Sequence, residues 1–134
     1  MTNGIILIVE DNDLNSLLMA DILELNNYSS IRAHDGAEAI ALVRSRRPDL
    51  IVMDIQLPEM SGIEVIRLLK QDDDLRSIPI IAVTAFAMPS EEEAIRAAGS
   101  DDYISKPIDI LRFLKAVDRL LPRPSDSLVA HESK

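Results

Sequence analysis

No cysteine occurs in this chain, which excludes disulfides, a thiolate nucleophile and cysteine-based zinc sites. That absence also fits a reducing compartment. Tryptophan is missing too, and Tyr28, Phe86, Tyr103 and Phe113 are the only aromatic rings, too few for a surface that stacks nucleic-acid bases. Positive charge is scarce. The formal net charge of −9 is the opposite of what a phosphate backbone rewards. The small basic group Arg44, Arg46 and Arg47 reads as a solvated helix end, where cations suit the dipole. None of the four glycines sits in a Walker-type loop. The N-terminal apolar run, Ile5 to Val9, has no cationic segment before it and falls far short of the ~18 residues of a membrane span. The expectation is a cytoplasmic protein, and 134 residues suit one domain.

What the chain does have is alternation. Short runs of aliphatic and β-branched residues alternate five times with longer stretches of helical spacing. Leu14, Leu17, Leu18, Ile22 and Leu25 form one helical stripe, with Asn12 or Asp13 as its N-cap and Asn26-Asn27 as its end. Ser30 to Ala33 is a weak second strand. Asp35-Gly36-Ala37-Glu38, Ser61-Gly62-Ile63-Glu64 and Ser90-Glu91-Glu92-Glu93 read as capping boxes opening three further helices. Ile63, Ile66 and Leu69 face inward from the second of these, and Gly99 stops the third. Asp109 caps a last helix with the stripe Ile110, Phe113, Leu114, Val117 and Leu121. Residues 1–121 make the domain, and 122–134, without apolar period, read as a disordered tail. Near-continuous apolar strands suit a sheet covered on both faces. The expected fold is therefore α/β, a doubly wound five-stranded parallel sheet of flavodoxin-like order 2-1-3-4-5.

In such a sheet the C-terminal strand ends share one edge. Four runs here end in chemically capable residues: Glu10-Asp11, Asp54, Thr84 and Lys106. Three carboxylates brought together repel, so one of them tends to keep a proton. A hard divalent cation relieves this, and Mg²⁺ suits a few carboxylates plus a phosphate oxygen. A metal, a lysine to clamp phosphoryl oxygens, a hydroxyl and a carboxylate nucleophile are the parts of phosphoryl transfer. Singly, each residue has an ordinary reading: a helix cap, a strand-favouring threonine, a solvated lysine. Their convergence at one edge is what favours function.

Other motifs fail on spacing. Asp11 to Asn15 begins like a calcium loop, but Ser16 stands at the turn glycine and Ile22 at the bidentate glutamate. Asp11-x-Asp13 resembles haloacid-dehalogenase-type phosphatases, which place Thr or Val where this chain has Asn15. His34 and His131 have no second ligand or nucleophile at workable spacing and read as structural or solvated.

The pieces ILIVEDN, LIVMDIQLPEMSG, IPIIAVTA and DDYISKP resemble the receiver domain of bacterial two-component response regulators over about residues 4–121. Within that family the chain is most similar to DivK-type single-domain cell-cycle regulators. The resemblance implies that Asp54 accepts a phosphoryl group from a histidine kinase or phosphotransfer protein. It implies Mg²⁺ held by Glu10, Asp11, Asp54 and the backbone carbonyl of Gln56. Glu10, standing where an aspartate is commoner, would act through water. Thr84 and Lys106 would bind the phosphoryl oxygens, Tyr103 would be the switch, and the Lys106–Pro107 peptide would be cis. The donor would dock at Asn15, Leu18 and Pro107, with Leu18 equally readable as core. The target would meet the face built from the fourth helix, fifth strand and fifth helix. Such a protein is a phosphoacceptor with self-phosphorylation and autodephosphorylation rather than a turnover enzyme. With so short a tail its output would be protein contact. The alternatives are a receiver detached from a hybrid kinase, a pseudo-receiver scaffold, or an aspartyl-nucleophile metal-dependent phosphatase.

Overall fold

Five strands and five helices alternate through the computed structural model, which describes residues 4–121. In chain order they are β1 (Ile5–Val9), α1 (Asp13–Leu25), β2 (Ser29–Ala33), α2 (Gly36–Arg46) and β3 (Leu50–Asp54). Then come α3 (Gly62–Gln71), β4 (Ile80–Thr84), α4 (Pro89–Ala98), β5 (Asp102–Ser105) and α5 (Ile110–Leu120). The expected tail lies outside the described residues.

All strand pairings are parallel and the sheet order is β2-β1-β3-β4-β5, as the alternation implied. Period two sorts the aliphatic strands onto two faces. Ile6, Ile8, Val52, Ile81 and Val83 pack under α1 and α5, with Phe113 and Val117. Leu7, Val9, Ile51, Met53 and Ala82 pack under α2, α3 and α4, with Val43, Ile66 and Ile95. The register aligns the strand tips: Val9 lies opposite Met53, Asp54 opposite Val83, and Thr84 opposite Ser105. The first residues after β1 and β5 therefore arrive beside Asp54 and Thr84.

Three local expectations are corrected. The stripe assigned to the buried face of α1 points largely to solvent: Leu14 is 66% exposed, Leu18 52% and Leu25 87%. Ser16, Met19, Ala20 and Leu23 are buried instead. Both sets satisfy helical spacing, and the smaller Ser16 and Ala20 let the helix approach the sheet. The α4 box does not form. Pro89, whose fixed φ and missing N–H suit the first helical position, starts the helix two residues early, and Met88 is an N-cap without a side-chain bond. On α5, Ile110 of the expected stripe is 51% exposed, while Phe113, Ala116 and Val117 are buried. Elsewhere the caps hold. Asn12, Asp35, Ser61 and Asp109 accept from first-turn N–H groups, and Gly99 ends α4 in the left-handed region at φ 111°.

Lys70 pins the loops on the far side of the sheet. Its half-buried ammonium donates to the carbonyls of Arg76 and Ile78, both at 3.0 Å, and to Asp101 at 3.1 Å. Asp101 in turn accepts from the Ile80 N–H that opens β4. Lys70→Met leaves those acceptors without their charged donor, and about 2 kcal/mol of stability should be lost. A urea titration that shows an unchanged midpoint would contradict this.

Candidate functional site

Glu10, Asp11, Asp54, Thr84 and Lys106 gather at the C-terminal edge of the sheet. One carboxylate oxygen each from Glu10, Asp11 and Asp54 lie within 4.8 Å of one another. Asp11 is exposed, whereas Glu10 and Asp54 are buried at 1% and 2% exposure. Two buried carboxylates share one cation. The Lys106 Nζ donates to Glu10 Oε1 and to Asp54 Oδ2, each at 3.2 Å. Backbone N–H groups take the other oxygens: Asn12 N donates to Glu10 Oε2 and Gln56 N to Asp54 Oδ1.

The electrostatics follow from that crowding. Burial, then the Asp54 charge, push Glu10 from 4.5 up to about 7, and the Asn12 N–H and Lys106 only partly oppose them. The proton expected on one of the acids therefore belongs on Glu10. Burial alone would depress Lys106, but the Asp54 and Glu10 carboxylates outweigh it and hold the ammonium above its usual value. Once Glu10 gives up that proton, three carboxylates against one lysine leave two negative charges, the deficit that a divalent cation cancels. The donors are hard oxygens, with no imidazole or sulfur, which suits Mg²⁺ or Ca²⁺ rather than a softer metal.

Thr84, fully buried at the end of β4, is engaged elsewhere. Its hydroxyl donates to Glu91 on the first turn of α4 and accepts from Phe86 N at 3.0 Å and Gln56 Nε2 at 3.2 Å. Gln56 Oε1 accepts from Ala85 N, so this side chain ties the loop after β3 to the loop after β4. Tyr103 is half-buried on β5. Its hydroxyl donates to Glu92 at 2.9 Å, and the Arg96 guanidinium stands 5.6 Å from its ring centroid. That bond to Glu92, with burial behind it, raises the Tyr103 pKa, while Arg96 and then Tyr103 lower that of Glu92.

The Lys106–Pro107 peptide is cis, as the resemblance implied. Asn15, Leu18 and Pro107 line one cleft of about 550 Å³ between α1 and the loop after β5, and Glu10 and Lys106 also belong to its wall. Leu18 is thus surface, not core. His34 stands apart from the acid cluster, exposed between Asp13 at 3.0 Å and Glu38 at 3.3 Å, and those hydrogen bonds raise its pKa. His131 lies outside the described residues. Sequence reasoning missed Glu91 and Glu92, and it missed the tie of the Gln56 side chain to Thr84 and Ala85. The acidic first turn of α4 was visible but was absorbed into a capping box.

A parallel five-stranded sheet with this acid cluster, threonine and lysine at one edge defines a class. The chain belongs to the response regulator receiver domain family, whose model matches residues 6–118. It is 55% identical over 116 residues to the polar-differentiation response regulator DivK of Brucella anthropi, covering 87% of this chain and 94% of that protein. The fold is similar to the receiver domain of a signal transduction histidine kinase from Syntrophus aciditrophicus, with TM-score 0.83, 38% identity, and 88% and 89% of the two chains covered. It is also similar to the receiver domain of a sensor histidine kinase from Pseudomonas aeruginosa, at TM-score 0.81 and 31% identity, covering 88% and 97%. That structure has a magnesium ion coordinated in its active-site cleft.

Proposed function

We propose that Asp54 is the phosphoacceptor of a phosphorelay and that its charge state switches the surface around α4, β5 and α5. The observation carrying this reading is the buried Asp54 carboxylate sharing Lys106 with Glu10 inside a three-carboxylate cluster. An Asp54 oxygen attacks the phosphorus of a phosphohistidine, the P–N bond breaks, and the released imidazole nitrogen takes up a proton. Mg²⁺, held by Glu10, Asp11, Asp54 and the Gln56 carbonyl, would neutralise charge on the transferring group. Lys106 stands ready to follow the new oxygens because it already donates to Asp54. Thr84 reaches them only after leaving Glu91.

The donor is a histidine kinase or phosphotransfer protein, entering over the cleft of Asn15, Leu18 and Pro107. Leu18 and Ile110 line that cleft from α1 and α5, and Leu14, Leu17 and Leu111 are further exposed apolar side chains on the same two helices. The downstream target is a protein meeting the Tyr103 side, and similarity to DivK suggests a role in cell-cycle or cell-division control. No helix among the described residues is long and apolar enough to cross a membrane, in keeping with a cytoplasmic setting.

Incubation with Mg²⁺ and acetyl phosphate should add one phosphoryl mass to the intact protein, and Asp54→Asn should abolish the gain. No gain with an active donor, or the same gain in the variant, would sink the reading.

A further inference from the structure

The hydrogen-bond count at Thr84 carries a consequence for switching. A hydroxyl has one proton to donate and two lone pairs to accept with. Ala85 N and Phe86 N are obligatory donors. Ala85 N points at the Gln56 amide, so the oxygen of that amide faces it and the nitrogen faces Thr84. Phe86 N and Gln56 Nε2 therefore occupy both lone pairs of Thr84, and its single proton goes to Glu91. Thr84 has nothing left to offer a phosphoryl oxygen. One residue along the same helical turn, Glu92 takes the hydroxyl proton of Tyr103.

We propose that Glu91 is a positioning residue that holds the switch in its resting state, keeping the Thr84 hydroxyl from the phosphoryl site, while Glu92 holds Tyr103. The inference rests on the acceptor reading of Asp54. On phosphorylation the Thr84 proton is exchanged from one anion to another, from the Glu91 carboxylate to a phosphoryl oxygen. Glu91, freed, no longer ties the start of α4 to the end of β4. Met88 makes no side-chain cap at that helix start, so the Thr84 bond is a main lateral tether of the first turn. Release of Glu91 thus loosens the turn that also carries Glu92, and Tyr103 loses its fixed partner. The coupling between Thr84 and Tyr103 runs through two consecutive glutamates.

The test uses beryllofluoride with Mg²⁺ as a stable stand-in for the phosphoryl group, titrated into the whole chain and followed by NMR of the Thr84 and Tyr103 resonances. Glu91→Ala should bind about tenfold more tightly than wild type, the worth of one hydrogen bond to a charged group. Glu91→Gln keeps an acceptor oxygen and should gain less. Removing any nearby carboxylate favours an anion, so two controls separate that effect. Glu93→Ala makes the same charge change at an exposed position two residues further along α4 and should leave affinity near wild type. In a Thr84→Ala background, Glu91→Ala should add nothing. An equal gain in that background, or no gain in the single variant, overturns the proposal while leaving Asp54 as acceptor. Wild type that takes up no beryllofluoride overturns the acceptor reading first, and this one with it.

Discussion

Gly62→Ala is expected to destabilise the protein by about 3 kcal/mol and to abolish phosphoryl uptake at Asp54 together with it. A Cβ at Gly62 would stand 2.2 Å from the Asp54 carbonyl oxygen, 2.8 Å from Ile55 Cα and 3.0 Å from the Asp54 carbonyl carbon. All three are backbone atoms, so no side chain can swing away. Gly62 is not among the glycines with positive φ, so room is what the position demands. The close approach has a purpose: Gly62 N donates to Ile55 O at 3.0 Å, docking the start of α3 onto the end of β3. Relief requires α3 to withdraw, which unpacks Val65 and Ile66, or the Asp54 backbone to shift, which misplaces the carboxylate. Overpacking typically costs 1–3 kcal/mol, and a clash with fixed backbone belongs at the top of that range. Gly36 supplies the contrast. Its added Cβ would meet only side chains, the stiff Val65 at 2.8 Å and the flexible Met60 at 3.2 Å, rather than fixed backbone. Urea midpoints and intact masses of the two variants check this ranking. A Gly62→Ala protein with near-native midpoint and full phosphoryl uptake would contradict it.

The strand tips were legible because a doubly covered parallel sheet writes its strands as unbroken aliphatic runs, and each run stops where chemistry begins. Asp54 and Lys106 needed only strand order and register to meet, and right-handed crossovers leave few choices of either. Caps at Asp35, Ser61 and Asp109 are local, and local patterns survived. The side of α1 that packs was not legible. Leu14, Leu17 and Leu18 keep helical spacing as faithfully as Met19, Ala20 and Leu23 do, and only the sheet beneath chooses between them. The exposure of Leu18 is itself informative, since it lines the cleft whose wall includes Glu10 and Lys106. The start of α4 was misplaced because Ser90 and Glu93 fit a box, while Pro89 set the actual first position. Glu91 and Glu92 were hidden for a related reason. Their partners, Thr84 and Tyr103, stand on other elements, seven and eleven residues away.

Magnesium-free protein is expected to lose stability as pH rises through the neutral range, and magnesium to restore it. Glu10 in the fold has its pKa raised from 4.5 to about 7. Between those values the folded state holds a proton that the unfolded chain has released, so stability falls as pH climbs. A shift of that size corresponds to on the order of 3 kcal/mol. Asp102 and Glu92 move the other way, their pKa values lowered, so their contributions are lost at the acid side and do not cancel this window. His34, raised by its bonds to Glu38 and Asp13, stabilises at low pH and stops doing so as pH passes its folded value; being exposed, it adds little. Glu10→Gln keeps the side-chain shape without the charge, so its stability should be nearly flat from pH 5 to 8 and exceed wild type at pH 8. Magnesium binding to the folded cluster stabilises by mass action, about 2.7 kcal/mol at one hundred times the dissociation constant. It must displace the Glu10 proton, so affinity should be weaker at pH 6 than at pH 8 and the gain correspondingly smaller. Thermal melts at both pH values, with magnesium or with chelator, read all four corners. A wild-type curve that rises from pH 5 to 8 without metal, or a Glu10→Gln curve that follows wild type, would mean that Glu10 does not carry the proton.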